Sequence, residues 1–168
     1  MPRSWAMTTA TTAGRADTSD VTGRSIRSRA PAASSPEVRR VMQSNVGRET
    51  TPEERLRGAL AKRCAPFLID VRPEPKLRCE ADLVFTEERV CIFVDGCFWH
   101  RCPDHFTPPK SNAAWWEEKL AANVERDNRH TEQLHQLGWT VVRVWEHETA
   151  PAFLDSTVER ILVRLRGR

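Results

Sequence analysis

The chain has 168 residues, 39% apolar and 29% charged, with a net charge of +3. That composition fits one globular domain with a real core and excludes collagen-like, low-complexity and disulfide-scaffold classes. No run approaches the roughly 20 apolar residues of a bilayer span, and the N-terminus lacks the apolar core of a secretion signal. The expectation is therefore a soluble, cytoplasmic protein with no membrane partner, whose slight positive charge permits a polyanionic partner without requiring one.

Residues 1–35 are rich in Ser, Thr, Ala and Arg and poor in large apolar side chains, and they read as a disordered tail before a single domain over 36–168. A short helix is expected from Ser35 to about Asn45. Thr51-Pro52-Glu53-Glu54 then forms a helix start, with Thr51 as cap, Pro52 in the first helical position and Glu54 closing a capping box. Leu56, Ala59 and Leu60 follow at helical spacing. Three strand-like runs come next, Phe67–Val71, Ala81–Phe85 and Val90–Val94, the last two suiting a hairpin. Asn112 is placed to cap a long helix containing Trp115, Trp116, Leu120, Val124, Leu134 and Leu137, which ends at Gly138. A strand over Trp139–Trp145 and a helix from about Ser156 to Arg166 complete the order. This α/β pattern predicts a mixed sheet flanked by helices.

The densest chemistry is the run from Asp95 to His105, directly after a strand. Five cysteines, two of them in Cys97-x4-Cys102, suit a reducing compartment and metal ligation better than disulfides. Cys97, Cys102, His105 and His147 together make the sulfur and nitrogen shell that Zn²⁺ prefers, and four protein ligands would make that site structural. Asp104 rivals His105 for the third position. Cys64, Cys79 and Cys91 read as ordinary core or surface thiols.

A second set lies at strand ends and helix starts: Asp82, Glu53 and the carbonyl of Val94 or Asp95. Hard oxygen ligands of this kind suit Mg²⁺ and phosphodiester hydrolysis. His100 is placed to accept a proton, because imidazole is the side chain that exchanges one near neutral pH. Taken singly, Glu53 reads better as a capping carboxylate, Asp82 as a turn residue and His100 as a surface imidazole.

The run Gly96-Cys97-Phe98-Trp99-His100 resembles the hallmark of the very short patch repair (Vsr) DNA mismatch endonuclease family. Ala81-Asp82-Leu83-Val84-Phe85 precedes it, and Asn123-Val124-Glu125-Arg126-Asp127 and Leu137-Gly138-Trp139-Thr140-Val141 follow, so the resemblance spans most of residues 36–148. It implies a restriction-endonuclease-like fold and a nick on the 5′ side of the thymine in a T:G mismatch left by 5-methylcytosine deamination. By position it implies that Asp82 is the principal Mg²⁺ ligand with Glu53 its helper, that His100 is the general base, and that Asp127 supports His100. Phe98, Trp99 and Trp116 become the aromatics wedged beside the mismatch, a T:G step being cheaper to unstack than a matched one.

Trp115 is expected in the core, and Asn123–Arg129 with Lys110 and Lys119 would contact phosphates. The partner implied is double-stranded DNA in the nucleoid, with mismatch-repair proteins as further candidates and a monomer as the acting unit. Two departures from the family pattern stand out. Asp95 replaces a histidine, so a carboxylate is placed to reach the metal, and the zinc shell has His147 where a cysteine is usual. A general endonuclease of the same fold and a non-catalytic zinc-stabilised DNA-binding module remain the alternatives.

Overall fold

In a computed structural model of the chain, residues 51–64 and 66–167 are described. The expected tail and the helix after Ser35 lie outside them. The described elements run α1 (Thr51–Leu60), β1 (Leu68–Val71), β2 (Ala81–Phe85), β3 (Val90–Asp95), α2 (Ala113–Gln136), β4 (Thr140–Trp145), a 3₁₀ turn (Glu146–Thr149) and α3 (Leu154–Arg166). The strands form one sheet in the order β1-β2-β3-β4. β1 to β3 are antiparallel neighbours, as the hairpin reading requires, and β4 joins β3 in parallel after the α2 crossover. The mixed α/β sheet with flanking helices is thus present, consistent with a restriction-endonuclease-like fold.

Period-two alternation in the strands decides what each face of the sheet carries. Leu83, Phe85, Val90, Ile92, Val142 and Val144 pack on one face against Leu56 and Leu60 of α1 and Val158, Ile161 and Leu162 of α3. Ala81, Val84 and Cys91 pack on the other against Leu134 near the end of α2, with Cys79 and Trp139. Each large apolar side chain buried in this way contributes about 1.5–3 kcal/mol, which explains why neither face is left to solvent.

The helix ends differ from expectation in detail. α1 already includes Thr51, one residue before the expected boundary. Asn112 holds the N-cap position of α2 but sits in left-handed backbone, φ 55°, and makes no side-chain cap bond. Its carbonyl instead accepts the Trp116 N–H at 3.1 Å. The C-terminus follows the sequence closely: Gly138 has φ 82°, which a residue with a Cβ reaches only at a cost. The N–H groups of Gly138 and Trp139 close back on the carbonyls of His135 and Leu134, so α2 stops and β4 begins. α3 starts at Leu154, two residues before the expected Ser156.

The alternation breaks at Asp82. Registered pairs between β2 and β3 run from Phe85↔Val90 to Leu83↔Ile92. Beyond them the Asp82 carboxylate, in place of a backbone carbonyl, accepts the Val94 N–H at 2.6 Å. On the neighbouring edge strand Asp70 adopts φ 52°. The sheet therefore opens locally where β1, β2 and β3 meet, and that opening positions the site.

Candidate active site and metal cluster

A small pocket at the opening is lined by Glu53 and Arg57 of α1, Ile69 and Asp70 of β1, Asp82 and Leu83 of β2, and Val94 of β3. Three residues proposed from sequence to share one metal, Asp82, Glu53 and Val94, are thus brought together. Burial, opposed by the Val94 N–H and reinforced by Glu53, Asp70 and Asp95, pushes the Asp82 carboxyl up to about 7. Several carboxylates crowding one half-buried oxygen is an arrangement that a divalent cation relieves, so the residues present fit a hard metal ion.

His100 is not one of the pocket's lining residues. Its neighbour Asp95 raises the Asp82 carboxyl electrostatically and lies 3.7 Å from His100 Nδ1 through its Oδ1. The stronger partner of that nitrogen is Asp127 of α2, whose Oδ2 lies 2.5 Å away. Burial alone would raise Asp127. The hydrogen bond to His100, the charge on that ring, and Arg126 and Arg143 outweigh it and hold the carboxyl below its usual range.

Asp95 does not reach toward the pocket as its position in sequence suggested. Both its oxygens accept from Arg143 of β4, Oδ2 from Nε and Oδ1 from Nη2, each at 2.6 Å. Sequence reasoning missed Arg143 altogether. Its signal was a lone charge inside the apolar strand Thr140-Val141-Val142-Arg143-Val144-Trp145, where a cation needs a partner.

Beyond β3 the chain turns sharply into the Cys97–His105 loop. A Cβ on Gly96 would stand 3.2 Å from Trp99 Cδ1, so glycine lets the indole fold back over its own turn. Ligand atoms of Cys97, Cys102, His105 and His147 all lie within 4.8 Å of one another. Cys97 Sγ is 3.1 Å and Cys102 Sγ 3.7 Å from His147 Nδ1, and Cys102 Sγ is 3.8 Å from His105 Nδ1. Donors around a tetrahedral ion with sulfur and nitrogen ligands stand about 3.3–3.8 Å apart, so the set fits a single ion. His105, not the rival Asp104, belongs to the cluster. Glu146, also missed from sequence, accepts the Cys97 N–H at 3.0 Å and ties the loop to the end of β4.

The aromatics form one edge-to-face and tilted cluster. Phe98 lies 5.3 Å from both Trp99 and Trp116, and Trp99 lies 5.8 Å from Trp116. The expected burial of the tryptophan pair is reversed: Trp116 is 7% exposed beneath the loop, while Trp115 is only half-buried. Asn123 corrects the phosphate-contact reading, because it is buried and donates to the Trp99 carbonyl at 3.3 Å. Lys110, Lys119, Arg126 and Arg129 are exposed, as that reading requires.

Residues 33–104 match the family model described as DNA mismatch endonuclease Vsr. Similar curated proteins include the type II nicking enzyme V.NaeI of Lentzea aerocolonigenes, 43% identical over 124 residues, 73% of this chain and 75% of that protein. The DNA mismatch endonuclease Vsr of Escherichia coli is 37% identical over 106 residues, covering 62% of this chain and 66% of its own. The type II nicking enzyme V.XorIIP of Xanthomonas oryzae pv. oryzae is 35% identical over 131 residues, covering 76% and 94%. With an opened sheet edge lined by carboxylates, a histidine held beside it and a pinned aromatic loop already in place, these matches identify the chain as a member of the DNA mismatch endonuclease Vsr family, a family of nucleases that act on DNA.

Proposed function

We propose that this protein is a Mg²⁺-dependent endonuclease that nicks the thymine strand of double-stranded DNA, 5′ of the thymine in a T:G mismatch. The observation that carries the reading is the gathering of Asp82, Glu53 and Val94 around one pocket, with the hydrogen-bonded His100–Asp127 pair near Asp95, whose charge also acts on Asp82.

Asp82, Glu53 and the Val94 carbonyl would hold Mg²⁺. When bound, the ion supplies charge neutralisation to the phosphate under attack. Asp127 accepts from Nδ1 of His100, and this leaves Nε2 as the basic nitrogen, free to take the proton of the attacking water. Water oxygen bonds to phosphorus, the bond to the leaving ester oxygen breaks, that oxygen leaves with the bonding pair and takes a proton from solvent, and one strand is cut. Cys97, Cys102, His105 and His147 would hold Zn²⁺ with no ligand position left open, a structural rather than a catalytic role.

Phe98 and Trp99, supported from below by Trp116, are suited to enter the base stack, where a T:G step yields at lower cost than a matched pair. Exposed Lys110, Lys119, Arg126 and Arg129 would supply the phosphate contacts. The residues 36–168 would act as one domain, as a monomer, since a single-strand cut needs one active site.

The test compares the full chain with Asp82→Ala and His100→Ala on T:G and matched duplexes, with and without Mg²⁺. The expected result is a nick on the thymine strand only with wild type, T:G and Mg²⁺ together, with both variants keeping their zinc. Equal cutting of matched DNA would replace mismatch repair by general endonuclease activity. Equal nicking by Asp82→Ala would remove the catalytic assignment.

A further inference from the structure

His100 Nδ1 faces two carboxylates, Asp127 Oδ2 at 2.5 Å and Asp95 Oδ1 at 3.7 Å. Which of them holds the ring decides where its other nitrogen stands. Arg143 touches both. Its fork grips Asp95 bidentately, and its Nη2 also lies 3.6 Å from Asp127 Oδ2, the oxygen that faces His100. Arg143 is itself fixed: its guanidinium lies 5.2 Å over the Phe93 ring, directly opposite it in the β3–β4 register, and its Nη1 donates to Thr131 Oγ1 at 3.4 Å. Asp95 is only 5% exposed, so without Arg143 its charge would be buried and unpaired, with the His100 Nδ1 at 3.7 Å as a donor within reach.

We propose that Arg143 is a positioning residue for the reaction: by occupying both oxygens of Asp95 it keeps that carboxylate from replacing Asp127 as the hydrogen-bond partner of His100, leaving Asp127 to set the ring. A cation on β4 and a carboxylate at the end of β3 thus act as a matched pair, one required by the other. This rests on His100 being the general base, but the positioning claim has a readout of its own.

Two measurements on the full-length, zinc-loaded protein test it. Long-range ¹⁵N–¹H NMR follows the His100 Nδ1 proton, and single-turnover nicking of T:G duplex is set beside duplex affinity. In Arg143→Gln the Nδ1 signal should shift away from its wild-type position. The cutting rate should fall about 10- to 100-fold, while duplex affinity stays within about twofold. Asp95→Asn combined with Arg143→Gln removes the competing charge as well as its clamp, and should regain the Nδ1 signal and most of the rate. A merely structural arginine would lower the melting temperature of Arg143→Gln while leaving the Nδ1 signal and the rate of the folded protein at their wild-type values.

Wild-type signal and rate in Arg143→Gln would overturn the proposal, as would a folded double variant that regains neither. If Arg143→Gln fails to fold, Arg143→Lys carries the test, since it keeps the charge and loses the fork. A displaced signal there supports the claim and a wild-type one overturns it. Should wild type itself not nick T:G duplex, the functional reading fails and the NMR arm alone decides whether Arg143 sets the ring.

Discussion

Asp127, midway along α2, holds the Nδ1 of His100 from the loop after β3, so one helix carboxylate fixes both the tautomer and the direction of the imidazole. Asp127→Asn keeps the shape and loses the charge. We expect it to slow nicking by about 10- to 100-fold with duplex affinity little changed, because the support acts on the reacting group and not on DNA contacts. Single-turnover rates beside binding isotherms check this. A parallel fall in affinity would show that Asp127 instead shapes the DNA surface.

Asp82 gives a pH dependence with a definite sign. Its carboxyl is raised from the ordinary 3.8 to about 7, chiefly by burial, with Glu53, Asp70 and Asp95 adding to the rise. The folded protein then keeps this proton where the unfolded chain has lost it. The contribution of Asp82 to the stability of the Mg²⁺-free protein should therefore fall as pH rises between those two values and level off above the upper one. Asp82→Asn should behave like wild type below the window. Above it the variant should be more stable by roughly 1–3 kcal/mol, while nicking is lost. Thermal melts of both proteins across pH, with Mg²⁺ removed by gel filtration, test the difference. Curves that stay parallel through the window would refute it.

The aromatic cluster separates a wedge from its foundation. Phe98 and Trp99 are half-buried, whereas Trp116 is buried beneath them. Trp116→Ala should cost about 3–5 kcal/mol of stability, the range for emptying a buried aromatic site. Phe98→Ala and Trp99→Ala should cost less and instead lower the preference for T:G over matched duplex. The preference would be read as the ratio of nicking rates, and a full wild-type ratio in both variants would remove the wedge assignment.

What the sequence made legible was local. The β2–β3 hairpin follows from two apolar runs joined by a charged turn, and the end of α2 from Gly138. The Cys97, Cys102 and His105 cluster follows from ligand spacing in one loop. Asp95 and Arg143 were not legible as a pair. They meet only because β3 and β4 run parallel in a register that brings Phe93 opposite Arg143, and no local pattern states that register. The inward turn of Trp116 and Asn123, with Trp115 left half-buried, depends likewise on how the loop after Gly96 lies across α2, which helical periodicity alone does not specify.

The link between Cys97 Sγ and His147 Nδ1, 3.1 Å apart, joins the start of the aromatic loop to the turn after β4. A closed Zn²⁺ shell there would fix the loop that carries Phe98, Trp99 and His100, so metal loss should disable nicking without touching the Mg²⁺ pocket. Purified protein should carry equimolar zinc. Cys97→Ser and His147→Ala should lose it, melt lower and stop nicking even in excess Mg²⁺, because the loop no longer holds His100 against Asp127. His147→Cys should retain zinc, since a thiolate is an equally good ligand. Asp104→Asn should also retain it, because Asp104 stands outside the cluster. Elemental analysis of the four variants beside their melting curves decides the matter. Full zinc in His147→Ala would break the assignment of this ligand set, and zinc-free protein with a wild-type melt and wild-type nicking would show that the loop needs no pin.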